Sequence, residues 1–182
     1  MKILYVDFDG VIIDSLDECF NICLKIISKN SKINKMNFYL FFKNNRYLVN
    51  PPSDYLALCN IYLKFPNITK SKCLNIFRDY QLSISQKDRV SFTNIFFKTR
   101  QILQNDNLLS WYKMNRLTFF AKKIAHNNNF IKYIISTKNY EAIDMLCSHY
   151  KFEHNGIFGY EEYKKYNNKS GVIKSLLNKH KK

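Results

Sequence analysis

Lys2-Ile3-Leu4-Tyr5-Val6-Asp7-Phe8-Asp9-Gly10-Val11-Ile12-Ile13-Asp14-Ser15 decides how the chain is read. Ile3 to Val6 is a short unbroken apolar run, the pattern of a strand buried on both faces of a parallel sheet. Two carboxylates one residue apart follow at once, then a glycine. In open α/β sheets ligands bind outside the carboxyl ends of the strands, and Asp7 falls there. Gly10 lets the chain turn sharply off the strand, because glycine adopts backbone angles that side chains disfavour. The plain alternative is an acidic strand-to-helix turn without chemistry. Against it stands the cost of burying two neighbouring carboxylates without partners.

Asp7-Phe8-Asp9-Gly10-Val11-Ile12-Ile13-Asp14-Ser15 resembles the first motif of the haloacid dehalogenase-like (HAD) hydrolase superfamily, Asp-x-Asp-Gly-x-x-x-Asp-Ser. The resemblance implies an α/β fold with a Rossmann-like core, a parallel sheet and an inserted α-helical cap. Residues 1–14 and 118–182 would form the core, and 15–117 the cap. The periodicity of the insert agrees with a helical reading. Ser15-Leu16-Asp17-Glu18 reads as a capping box, and Leu16, Cys19, Phe20, Cys23, Ile26 and Ile27 follow on one face. Further helical stripes run through Tyr55 to Leu63, Cys73 to Tyr80 and Phe92 to Leu103, broken at Pro51-Pro52 and Pro66. Tyr39, Phe41, Phe42 and Trp111 suit a core better than a pocket lining. Arg46, Arg78 and Arg100 suit solvated or ion-paired surface better than contacts to an anionic substrate.

Beyond a helix at Leu117 to Ala125 and an asparagine turn at 127–129, Phe130-Ile131-Lys132-Tyr133-Ile134-Ile135 is a second buried-strand pattern. It ends in Ser136-Thr137, similar to the family's second motif, in which a strand-end hydroxyl binds the phosphoryl group. Ser136 takes that role, with Thr137 the alternative by one residue of register. A helix over Tyr140 to Tyr150 leads to a short third strand at Ile157 to Gly159. Among the lysines that follow, Lys169 matches the third-motif position before the final helix (Gly171 to Asn178), with Lys165 and Lys164 next in line.

The family's fourth motif is a further strand ending in one or two aspartates. It has no counterpart here, since no acidic residue follows Glu162. The implied sheet is therefore incomplete at its C-terminal side, and the alternative expectation is a truncated or degenerate, weakly active or inactive relative. What the resemblance implies about chemistry is a phosphatase acting on a small phosphomonoester. Asp7 would form an aspartyl-phosphate and Asp9 would move protons, with Gly10, Ser136, Thr137 and Lys169 binding substrate. Mg²⁺ would be held by the Asp7 carboxylate and the Asp9 backbone carbonyl.

Composition narrows the remaining classes. Hydrophobic residues make up 46% of the 182, enough for a folded core and against disorder. No apolar run approaches the roughly 18 residues of a membrane span. Asp7 comes too early for a signal peptide, so the cytoplasm is the expected compartment. Five cysteines without a Cys-x-x-Cys read as reduced core thiols, and the four histidines show no metal spacing. The formal charge of +15 raises a basic nucleic-acid-binding protein as a second alternative. Its lysines, however, are spread along the chain with no recognition module, and the densest cluster, Lys179 to Lys182, reads as a solvated tail. Nucleic acid is therefore not the expected partner. A diffuse positive field suits a phosphorylated small molecule.

Overall fold

The computed structural model describes residues 2–29, 31–125, 127 and 129–180, the last two by backbone alone. His126, Asn128 of the asparagine turn, the Lys179 and His180 side chains, and Lys181-Lys182 of the basic tail lie outside the described residues. In chain order come β1 (Lys2–Val6), β2 (Ile13–Asp14), α1 (Leu16–Ile27), α2 (Lys35–Asn45), α3 (Asp54–Lys64), α4 (Lys70–Ser83), α5 (Gln86–Asp106) and α6 (Leu108–Lys113). Then follow β3 (Arg116–Leu117), α7 (Phe119–Ile124), β4 (Phe130–Ile135), α8 (Tyr140–Tyr150), β5 (Gly156–Phe158), α9 (Tyr160–Tyr166) and α10 (Lys169–His180). The fold is mixed α/β and mostly helical, with a small three-stranded parallel sheet. None of the described helices is long and apolar enough to cross a membrane.

The chain divides into two compact units, Met1–Ser15 with Tyr112–Lys182, and Leu16–Trp111. The first holds the sheet, ordered β1-β4-β5 and parallel throughout. Val6 pairs with Ile134, and Ile134 with Ile157, so the three strands finish at the same end. Ile134, Ile135, Val6 and Ile157 are buried there, and α10 lays Val172 and Leu176 against Ile135. The expected division at 117/118 differs from the observed one at 111/112, and hydrogen bonds give the reason. β3 pairs antiparallel with β2, the Thr118 amide donates to the Ile12 carbonyl, and the Tyr150 hydroxyl donates to the carbonyls of Tyr112 and Asn115. Residues 112–117 thus belong to the sheet-bearing unit. The expected helix from Leu117 starts instead at Phe119, with the Thr118 hydroxyl accepting from the Ala121 amide as its cap.

The helical unit is built on aromatic side chains at helical spacing. Phe42 meets Phe20 and Phe38 edge-on, those two rings are tilted against each other, and Tyr55 stacks between Phe42 and Phe96. Burying each such ring stabilises by about 1.5–3 kcal/mol, with a further contribution from ring–ring geometry. Cys19, Cys23, Cys59 and Cys73 fill the space among them as buried free thiols. Burial holds the Cys23 and Tyr55 hydrogens well above their ordinary titration range. Phe41, Phe42 and Trp111 are core residues here.

Arg100 departs from the surface expectation. It is buried with Glu18, its Nε donating to Oε1 at 2.8 Å and an Nη to Oε2 at 3.3 Å. The Trp111 indole N–H donates to the same Oε1 at 2.7 Å. Three donors on one carboxylate tie α1, α5 and α6 together and make the buried charges tolerable.

Candidate functional site

The site forms where β1, β4 and β5 end. Val6 is the last paired residue of β1, and the chain then folds into a tight loop around the wholly buried Phe8. The Phe8 carbonyl accepts from the amides of Val11, Ile12 and Ile13, and the Gly10 amide donates to the Ile13 carbonyl at 2.7 Å. Gly10 sits at φ +81°, in the left-handed region open to glycine. Its amide is thus committed to the loop, and Gly10 serves by shaping it. The same loop aims two carboxylates. Asp7 Oδ1 accepts from the Phe8 amide at 2.8 Å, which fixes the Asp7 side chain at the strand end.

Lys169 meets Asp7. Its Nζ stands 2.7 Å from Asp7 Oδ2, with the two side chains 29% and 40% exposed. The lysine arrives from the first turn of α10, which Asn168 caps by accepting from the Gly171 amide at 2.7 Å. Val172 and Leu176 anchor that helix on the sheet. Lys164 and Lys165 lie in the last turn of α9.

Ser136 and Thr137 leave β4 beside the end of β1 and are both buried. The Ser136 amide extends the β4–β5 pairing to the Phe158 carbonyl, and its Oγ accepts from the Lys138 amide at 3.1 Å. A residue that sequence reasoning passed over completes the group. Lys138 has a fully buried side chain whose Nζ stands 3.3 Å from Asp9 Oδ1, and Asp9 is 17% exposed. Asp7 and Asp9 therefore each face a lysine ammonium, while Asp14, the third acid of the motif, meets Arg116. No local signal in the sequence marks Lys138, one basic residue among 29; only the folded turn sets it apart.

Two lysines neutralise two carboxylates, so the cluster is close to balanced before any ligand arrives. Among the described residues, no group of three or more His, Cys, Asp or Glu gathers as a ready-made metal cage. The oxygens that the resemblance would offer a metal are hard donors, the Asp7 carboxylate, partly exposed here, and the Asp9 main-chain carbonyl. They suit Mg²⁺, which binds through one or two carboxylates, water and substrate phosphate. Within the helical unit, a surface hollow of about 710 Å³ at the α3–α4 turn is lined by Phe65, Pro66, Ile68 and Ile76 with Lys64 and Lys72. Both of its lysines are exposed.

No family model, no curated protein and no solved structure matches the chain.

Proposed function

We propose that the protein is a phosphatase of the HAD type, acting on a small phosphomonoester through an aspartyl-phosphate on Asp7. The observation that carries the reading is the Asp7–Lys169 contact at the carboxyl end of a parallel strand, beside Asp9 and the hydroxyls of 136 and 137. In this reading the sheet-bearing unit is a Rossmann-like core and the helical unit corresponds to the family's cap. The five buried free thiols suit the reducing cytoplasm.

The chemistry follows from the charges. Asp7 Oδ attacks phosphorus and displaces the ester oxygen, and water later cleaves the acyl-phosphate. An anionic nucleophile approaching an anionic phosphate costs about 4 kcal/mol per charge pair at ~4 Å for an effective dielectric of ~20. The Lys169 ammonium offsets part of that cost from 2.7 Å away. The Phe8 amide holds one Asp7 oxygen, so the carboxylate is oriented before substrate binds. Ser136 or Thr137 supplies a hydroxyl to the transferring group, and Asp9 moves the proton. Mg²⁺, held by the Asp7 carboxylate and the Asp9 carbonyl, would supply further positive charge to the phosphoryl oxygens.

The test is release of p-nitrophenol from p-nitrophenyl phosphate with and without Mg²⁺. Turnover abolished by Asp7→Asn is the expected result; equal rates in wild type and Asp7→Asn would overturn the reading. One observation favours a second reading, a catalytically weak or inactive relative: Lys169 and Lys138 already pair with Asp7 and Asp9, where a metal and a substrate would have to bind. That reading expects no turnover above the Asp7→Asn control.

A further inference from the structure

We infer that Lys138 is a positioning residue for Asp9 in the second half of the reaction, the hydrolysis of the phosphorylated Asp7; the inference rests on the phosphatase reading above. The geometry sets the two lysines apart. Lys169 is partly exposed and touches the nucleophile, where substrate arrives. Lys138 is wholly buried and touches Asp9 from within the turn.

Its own backbone is pinned at both ends. The Lys138 amide donates to Ser136 Oγ at 3.1 Å, and its carbonyl accepts from the Tyr160 amide at 2.9 Å. Gly159 makes this approach possible: a Cβ there would lie 2.8 Å from the Tyr140 amide nitrogen and 3.0 Å from the Lys138 oxygen. Glu161 and Glu162 lock the same corner by accepting from the Tyr140 and Gly159 amides. The ammonium is therefore held by the β4 and β5 ends and presented to Asp9 Oδ1. A buried ammonium is tolerated when a carboxylate accompanies it, so the contact persists and fixes the plane of the Asp9 carboxylate.

Orientation matters most for one step. When water attacks the phosphorylated Asp7, a new O–P bond forms and the bond between phosphorus and the Asp7 oxygen breaks. Its electron pair returns to the Asp7 carboxylate, and the proton of the water passes to Asp9. That transfer needs the Asp9 oxygen within hydrogen-bond reach of the water. The first step makes no such demand when the leaving group is p-nitrophenolate, which departs without a proton. Loosening Asp9 should then slow the second step and spare the first.

Rapid-quench kinetics with p-nitrophenyl phosphate separate the two steps. Lys138→Met should retain a burst of p-nitrophenolate while the steady-state rate falls about tenfold or more. kcat and KM should fall together, and the quenched protein should carry a phosphoryl group that wild type does not accumulate. Lys138→Arg should recover part of the loss. In an Asp9→Asn background, Lys138→Met should add no further loss, which distinguishes action through Asp9 from damage to the fold. Loss of burst and steady state in parallel, an unchanged kcat, or an additive loss beside Asp9→Asn would overturn the inference with the phosphatase reading intact. Wild type no faster than Asp7→Asn would overturn both.

Discussion

Two sets of ion pairs, one in each unit, show what burial does with charge. In the helical unit, Glu18 is wholly enclosed and its carboxylate takes bonds from Arg100 and Trp111. In the sheet-bearing unit, Asp7 and Lys169 meet at a strand end with both side chains open to solvent. The first set ties helices together; the second leaves a carboxylate where a ligand can reach it. Lys138 and Asp9 lie between these extremes, one partner enclosed and the other partly open. Charge content alone does not separate structure from chemistry, whereas enclosure and direction do.

The contrast breaks most visibly at Glu18. Replacing it by Gln leaves Arg100 buried without its counter-charge, and unfolding in urea should show a loss of about 3–5 kcal/mol. Exchanging both partners, Glu18→Leu with Arg100→Met, should cost less than either single change. A larger loss from the double variant would mean that the pair itself, not the stranded charge, sustains the unit. At the loop, Gly10→Ala meets no steric neighbour but must hold φ +81°, so its cost should be about 1–2 kcal/mol from backbone strain. Lys169→Met sharpens the comparison from the other side. Its stability change should stay within about 1 kcal/mol, as for solvated pairs, while phosphate release drops. A stability loss matching that at Glu18 would erase the distinction.

The smallest effect concerns His154. Desolvation pulls its pKa below 6.5 and Lys132 pulls the same way, against Asp144. Its Nδ1 is buried without a hydrogen-bond partner. The unfolded chain therefore binds this proton more readily, and stability falls as pH drops through 6.5 toward the lower folded value. His154→Gln should flatten that acid limb in thermal melts, leaving stability above pH 6.5 unchanged; an unaltered limb would point to other groups.

The strands that carry the acids and hydroxyls were legible from their apolar runs, Ile3 to Val6 and Phe130 to Ile135 on either side of Lys132. β1 is fully buried only at Val6, however, so the run marks the strand without the both-face burial expected of it. β5 starts one residue before the expected Ile157, since Gly156 carries no apolar mark. α9 escaped notice because Tyr160–Tyr166 has no apolar stripe; its support is Glu162 capping the Gly159 amide. β2 and β3 span two residues each, too short for any period to register. Arg100 had a usable signal, because it lies four residues after buried Phe96 and shares a helix face with it. Lys138 had none, since a turn position acquires its burial from strands distant in the chain.

The bond between Trp111 and Glu18 also bears on how the chain folds. β1 must find β4 across more than a hundred intervening residues, a long ring whose closure entropy opposes pairing. A bond that clasps the first helix of segment 16–111 to its last would shorten that ring if it forms early. Non-local parallel pairing is slow for this reason, so sheet assembly should wait on the insert. Refolding of a Trp111→Phe variant, followed by tyrosine fluorescence and amide exchange, should show protection of the Tyr5 and Tyr133 amides arriving later than in wild type.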